Sequence, residues 1–342
     1  MQNNYSTLIN RRFYIGFILS IIFLLSFILS INIGSYKTSF NDFLNLFLSI
    51  DNNAILSNIL LHIRLPRTIC AILSGTALSI SGAIMQNLLK NPLASPYTLG
   101  VSHGSVFGAA LAIILIDNTT FLLNYQYIII IFAFAGSLAT IIVILMITTI
   151  KNITAGAVIL AGVALNSLFA SGIMLLQYFG TEEEIASIVF WAFGDLGKPG
   201  WNEIFILLVI IVPVGVYFII NALKYNATIW DDHTALSLGI NIKYIRVIGL
   251  ILTCFITASV VSFMGIIGFI GLIAPHIIRM IIGNDHRFLI PYSAILGSIL
   301  VLCSDILGRT ILSPIVIPVG IITSFMGAPI FLYILIKNKG IV

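Results

Sequence analysis

Charge is scarce in this sequence. Of 342 residues only 16 are basic and 12 acidic, 8% in all, against 59% hydrophobic, whereas a soluble domain is about 25% charged. That shortage excludes a water-coated globule, and apolar runs of helix length without ten-residue alternation exclude an outer-membrane-type barrel. No G-x-x-x-x-G-K-[ST] occurs, so this device for cradling nucleotide phosphates is missing. Cysteine is limited to Cys70, Cys254 and Cys303, scattered in apolar runs without a CxxC, and these read as small core residues. His62, His103, His233, His276 and His286 share no ligand spacing and no HExxH, so no bound metal is expected. His276 is expected to hydrogen-bond within a helix bundle. No acid, base and nucleophile cluster together, which argues against a membrane enzyme. The net charge of +4 is too dilute for a nucleic-acid surface and reads as topology.

What is present is hydrophobic helix. Windows of ~20 apolar residues place ten spans, at 13–33, 66–89, 96–116, 126–149, 154–178, 201–222, 244–264, 268–283, 288–311 and 318–336, the eighth short. The expectation is an all-α, polytopic membrane protein with one domain over 1–342, flanked by tails at 1–12 and 338–342. Arg11-Arg12 precede the first span as in a signal peptide, but the apolar run is too long for an h-region and no A-x-A-like site follows. It reads as a retained span.

With both termini cytoplasmic, inner ends hold eleven of the sixteen cations, Arg11, Arg12, Lys90, Lys151, Lys224, Lys243, Arg246, Arg279, Arg287, Lys337 and Lys339. The positive-inside rule supports that orientation. The outer side keeps Lys37, Arg64, Arg67, Lys198 and Arg309 with nine of the twelve acids, Asp42, Asp51, Asp117, Glu182, Glu183, Glu184, Asp195, Glu203 and Asp305.

Two segments are too short to cross. Thr181-Glu182-Glu183-Glu184 has capping-box spacing and opens an outer helix running to Phe193, and Trp191, Phe193 and Trp201 suit headgroup depth. "DDHTALSLGI", after the sixth span, has Asp231 or Asp232 to cap a short helix, Ala235, Leu236 and Leu238 as its apolar side, and Gly239 as its stop. An exposed apolar helix of that length wants a partner.

In "IRLPR", Pro66 suits the first position of a helix, which leaves Arg64 and Arg67 at an outward N-terminus. Both offend the inside bias for cations and the helix dipole, the latter by about 0.3–1 kcal/mol each. Either they snorkel into lipid headgroups or they form a socket for carboxylates of an external protein. Asp305 and Arg309 add an i, i+4 acid–base pair at the end of the ninth span.

"RLPR" at 64–67, "GAIMQNLLKNPLASPYTLGVSHG" at 82–104, "ALSLGI" at 235–240, "GIIGFIGLIAPHIIRMIIGNDHRFLIPYSAILG" at 265–297, "SDILGR" at 304–309 and "IPVGIITSFMGAPIFLYIL" at 317–335 together resemble the FecCD family from about residue 13 to 337. Its members are permease subunits of ABC importers for ferric siderophores, haem and vitamin B12. The resemblance implies the type II importer fold in a bacterial cell membrane, two permease subunits, identical or paralogous, two cytoplasmic ATPases that use ATP and magnesium, and an extracytoplasmic binding protein or lipoprotein. This chain itself would bind no cofactor. In the family's vitamin B12 importer, arginines matching Arg64, Arg67 and Arg309 receive glutamates of the binding protein, which favours the socket. The loop matching Ala235, Leu236, Leu238 and Gly239 would form the coupling helix that enters an ATPase cleft. Where many members carry glutamate before "IPVG", this chain has Val316.

The polar residues of the fifth and tenth spans, Asn166, Ser167, Ser171 and Gln177 with Thr323 and Ser324, match helices that line the family's path. Each also reads as a side chain bonded to its own helix or a neighbour. Gly104 and Gly108, in GxxxG spacing, read as a close helix contact. "NPLASP" reads as a stiff cytoplasmic turn, with Ser95 capping and Pro96 starting the third helix. An ion-coupled secondary transporter is the rival class. It calls for ionisable groups near mid-membrane, and apart from Asp305 these spans have almost none.

Overall fold

The computed structural model describes residues 2–34, 36, 54–116, 125–149, 155–230 and 232–337. Lys37, Asp42, Asp51, Asp117, Lys151 and Lys339 of the topology argument, and the cap candidate Asp231, lie outside the described residues. Helix α1 is Gln2–Asn32, starting well before the expected 13. Next come α2, Ala54–Ser57, a π-helical segment Asn58–Arg64, and α3, Leu65–Leu88, as one continuous rod. Then follow α4 (Val101–Leu115), α5 (Tyr125–Thr149), α6 (Ala155–Phe179), α7 (Glu182–Ala192), α8 (Trp201–Ile220), α9 (Ala222–Trp230), α10 (Asp232–Ser237), α11 (Ile242–Met264), α12 (Ile270–Ile282), α13 (His286–Thr310) and α14 (Val319–Lys337). Among the described residues seven helices are long and apolar enough to cross a membrane. α4, α12 and α14 are shorter apolar helices, and the ten together match the expected spans.

Pro66 does sit in the first turn of α3, but that helix does not begin there. Proline has no N–H to give the preceding turn. The chain absorbs this by widening the turn, and the Leu65 N–H reaches back five residues to the Leu60 carbonyl.

Helix α3 is the axis of the bundle, buried over most of its length and packed chiefly on α13, α11 and α12. Small residues set these contacts. A Cβ on Gly82 would lie 1.5 Å from the Gly271 carbonyl oxygen of α12, and one on Gly75 would lie 2.5 Å from the Gly297 oxygen of α13. The GxxxG pair of α4 meets α5 in the same way: a Cβ on Gly104 would lie 2.6 Å from the Gly136 oxygen, and one on Gly108 2.0 Å from the Phe132 oxygen. The close contact read from the spacing is present. Cys70 and Cys254 are buried and Cys303 is partly buried, all as free thiols.

Two connections are irregular at membrane depth. Residues 265–269 are non-helical: the Met264 carbonyl accepts the Asp195 N–H beside Arg67, whereas Gly271 already meets Gly82. Fifteen residues of α3 separate those levels, about 22 Å at 1.5 Å per residue. Phe269, with φ +65° and packed against Gly327, turns the chain into α12. The third helix starts at Val101 and not at Pro96, because the "NPLASP" turn continues into a bend at Gly100, whose φ of +92° lies in the left-handed region. Ser95 still caps, but within that turn: its hydroxyl accepts the Thr98 N–H at 3.3 Å. Irregular backbone is tolerated here because protein, not lipid, surrounds it. His276 departs from expectation, since neither ring nitrogen finds a protein partner. The polar side chain facing α12, Gln86, is taken by Arg279 and the Leu272 carbonyl.

Substituting Gly82→Leu should lower the thermal midpoint in detergent far more than Gly215→Ala, whose Cβ would meet only the end of Ile80 at 3.6 Å; overpacking of this kind costs about 1–3 kcal/mol or more. Equal midpoints would disprove the α3–α12 backbone contact.

Candidate functional site

The arginines of "RLPR" and "SDILGR" converge at one end of the bundle, and all three point inward. Asp305, with a fully buried carboxylate, is their common anion: Arg67 Nε donates to its Oδ1 at 2.7 Å, and Arg309 Nη2 lies 2.9 Å from its Oδ2. The i, i+4 pair read from the sequence therefore exists, and Arg67 joins it from α3. Arg67 Nη1 also approaches Asp195 at 3.5 Å, in the loop after α7.

The remaining donors close the end of α1. Arg64 Nη1 donates to the carbonyls of Ile31 and Asn32 at 2.9 and 3.0 Å, and Nη2 to that of Tyr36. Arg309 donates to the carbonyls of Ser30 and Ile33 at 3.0 and 2.9 Å. The last carbonyls of a helix lack partners within it and carry its negative dipole end, so guanidiniums suit them. The dipole cost counted against Arg64 and Arg67 at α3 is thus offset within the chain by Asp305 and by α1, an arrangement invisible to local sequence. Among the described residues, three guanidiniums and two carboxylates gather at this end, with Asp305 and Asp195 on Arg67 and Asp305 on Arg309.

Nearby, Thr181 and Glu184 form the expected capping box, with the Thr181 N–H donating to Glu184 Oε2 at 2.8 Å. Trp201 Nε1 donates to the Leu61 carbonyl and Trp191 is buried. Val316, where many family members have glutamate, is exposed and adds no charge to the cluster.

At the opposite end, Ala235 is buried while Leu236 and Leu238 are 57% and 66% exposed. Gly239 stops α10 with φ +76° and donates to the Leu236 carbonyl, as the sequence suggested. Behind this helix lies a hub that the sequence did not signal. Asp285 accepts from Arg12 at 3.0 Å, Asn226 at 2.9 Å and Arg287 at 2.7 Å, tying α1 and α9 to α13. Burial pushes the Asp285 carboxyl up, but the bonds from Arg287 and Asn226 outweigh it and hold the group well below the usual carboxylate range. Its contribution is full above the ordinary aspartate value of ~3.9 and is lost only as pH falls toward the depressed one.

The polar residues of the fifth and tenth spans separate by exposure. Ser167 and Ser171 lie on an open face of α6, with Leu168 and Met174, whereas Asn166 is half-buried and reaches the Thr98 carbonyl at 3.4 Å. Thr323 is buried and Ser324 half-buried, and both hydroxyls bond the Gly320 carbonyl within α14.

Residues 22–337 match the profile of the FecCD transport family. This chain belongs to that family. Over 98% of both chains it is 45% identical to a Methanocaldococcus jannaschii protein named as an ABC transporter permease. It is 34% identical to the hemin transport system permease protein of Yersinia pestis, over 97% of each. Among solved structures, a metal-chelate type ABC transporter in an inward-facing conformation superposes with a TM-score of 0.83 at 28% identity, covering 95% of this chain and 99% of the other. A FecCD chain is a transport permease and not an enzyme.

Replacing Asp305 with Asn strips Arg309 of its carboxylate and leaves Arg67 only the longer contact to Asp195, and should destabilise the protein by about 3–5 kcal/mol. The double variant Asp305→Asn/Arg67→Met should lose less than the sum of the single changes. Strict additivity in detergent melting curves would show that the two groups do not interact.

Proposed function

We propose that this chain is one permease half of an ABC importer that takes a ferric siderophore, or a haem- or cobalamin-like chelate, from an extracytoplasmic binding protein and releases it into the cytoplasm. The observation that carries this reading is the two-ended design: a cluster of three arginines at one end, and an exposed apolar pair, Leu236 and Leu238, at the other. Bare leucines on a six-residue helix are a cost in water that a protein partner removes. In this reading α10 couples to a cytoplasmic ATPase dimer, which hydrolyses ATP for the complex.

The uncovered faces of α6 and α14, with Leu160, Val163, Leu168, Tyr178, Phe325 and Tyr333 exposed, suit a second permease chain, with the path between them. Exposed Ser167 and Ser171 support a place on that path. They are neutral and weakly binding, which lets a bulky solute leave again. Asn166, Thr323 and Ser324 follow as its flanks. Arg64, Arg67 and Arg309 are proposed as docking positions for acidic groups of the binding protein, on the strength of their shared location at one end of the bundle. The helices' inward bias of cations supports placing both termini in the cytoplasm.

Leu236→Asp together with Leu238→Asp should strip the ATPase from the complex during detergent purification; its persistent co-purification would sink the coupling role. In proteoliposomes of the full complex, Arg67→Gln should weaken binding-protein docking about tenfold, as expected for a lost charged hydrogen bond, with unchanged size-exclusion behaviour. Uptake by this chain alone, driven by an ion gradient without nucleotide, would overturn the importer reading.

A further inference from the structure

A cavity of about 610 Å³ lies at the arginine end, lined by none of the three arginines, and none of the roles above uses it. Its walls come from α4, α5, α7, α8 and the end of α11, and its size falls in the ~300–1,000 Å³ range of small-molecule sites. The floor is apolar, with Ile113, Ile129 and Phe263, and the mouth carries one cation and one anion, Lys198 and Glu203.

Neither charge is spent on the other. Lys198 Nζ makes one long bond, 3.4 Å to the Trp191 carbonyl, and sits 5.5 Å from the centre of the Trp191 ring. Among the described residues no carboxylate comes within 4 Å of it. The residue is exposed at the mouth, yet the protein mass beneath it lowers the ammonium's pKa, against an opposing pull from Asp195. Glu203 receives one bond on each oxygen, from Tyr127 Oη at 2.5 Å and from the Gly200 N–H at 2.8 Å, and each oxygen keeps a lone pair to offer. Phe190 and Tyr127 stand exposed at the rim, with Trp201 at the start of α8, a concentration of aromatics that marks headgroup depth in a membrane.

A net anionic ligand would leave Glu203 unmatched, and a net cationic one would leave Lys198 unmatched. The geometry points to a zwitterionic phospholipid with a primary ammonium headgroup, its phosphate on Lys198, its ammonium between Glu203 and the aromatic rim, and its glycerol end on the apolar floor. Tyr127, exposed at the rim, gives the ammonium a ring face to approach. The requirement for N–H donors toward Glu203 selects a primary ammonium over a quaternary one, which has none. The site lies apart from the open faces of α6 and α14, and it does not depend on what the chain transports.

Native mass spectrometry of the full-length chain, with whatever subunits co-purify, tests this by titration with dioleoyl phosphatidylethanolamine, phosphatidylcholine and phosphatidylglycerol. Phosphatidylethanolamine should bind about tenfold more tightly than the other two, the value of one charged hydrogen bond. Glu203→Gln, which keeps an acceptor for the Gly200 N–H, should abolish that preference while phosphatidylglycerol binding holds. Lys198→Gln should weaken all three lipids, and Lys224→Gln, at the far end, should change nothing. Equal binding of the three lipids, a preference for phosphatidylglycerol, or unchanged binding in both site variants at a wild-type melting temperature would each overturn the assignment.

Discussion

An ionised carboxylate with no solvent access organises one end of this molecule. Asp305 is tolerable in an apolar interior only because two guanidiniums reach it from different helices; an unpaired charge there would cost several kcal/mol. The same guanidiniums are in turn fixed by it, which leaves Arg67 Nη1 toward Asp195 and the nitrogens of Arg309 on the backbone of α1. Through Arg309, one buried charge therefore sets where α1 ends against α13, and Arg64 adds a separate tie from the π-helical segment before α3. Helices that share no sequence neighbourhood are joined by electrostatics where apolar packing alone would let them slide.

The helical architecture was largely legible in the sequence, because a bilayer imposes length and hydropathy on each span and charge bias on its ends. The capping box at Thr181, the stop at Gly239, the short eighth span and the α4–α5 glycine contact all follow from local rules. The sequence could not say which span would be central. Helix α3 is no more apolar than its neighbours, and its burial shows only in small residues such as Gly75 and Gly82, which read locally as ordinary. Nor could spacing reveal that Arg67, 238 positions from Asp305, would share its carboxylate, or that Arg12 and Asn226 would meet at Asp285. His276 went the other way. A buried imidazole suggests a partner, and the bundle supplies none.

The candidate site was legible in composition more than in geometry. Arginines on the wrong side of the charge bias drew attention to one end of the molecule, and what the sequence could not show is that Asp305 and internal carbonyls engage them there. At the other end the inference was sounder. A short segment with leucines on one side has no room to hide them, and Leu236 and Leu238 are bare in the folded chain. Ser167 and Ser171 were separable from Thr323 only once exposure was known.

The glycine contacts of α3 carry a mechanical consequence. Where one helix's Cα rests against another's carbonyl, as at Gly82 on Gly271 and Gly75 on Gly297, there is no side-chain layer to deform. Axial slip by even a single residue would replace a hydrogen atom with a methyl or larger group in a gap that admits neither. α3, α12 and α13 are accordingly held in fixed axial register, so that any relative movement among them must keep each glycine on its carbonyl.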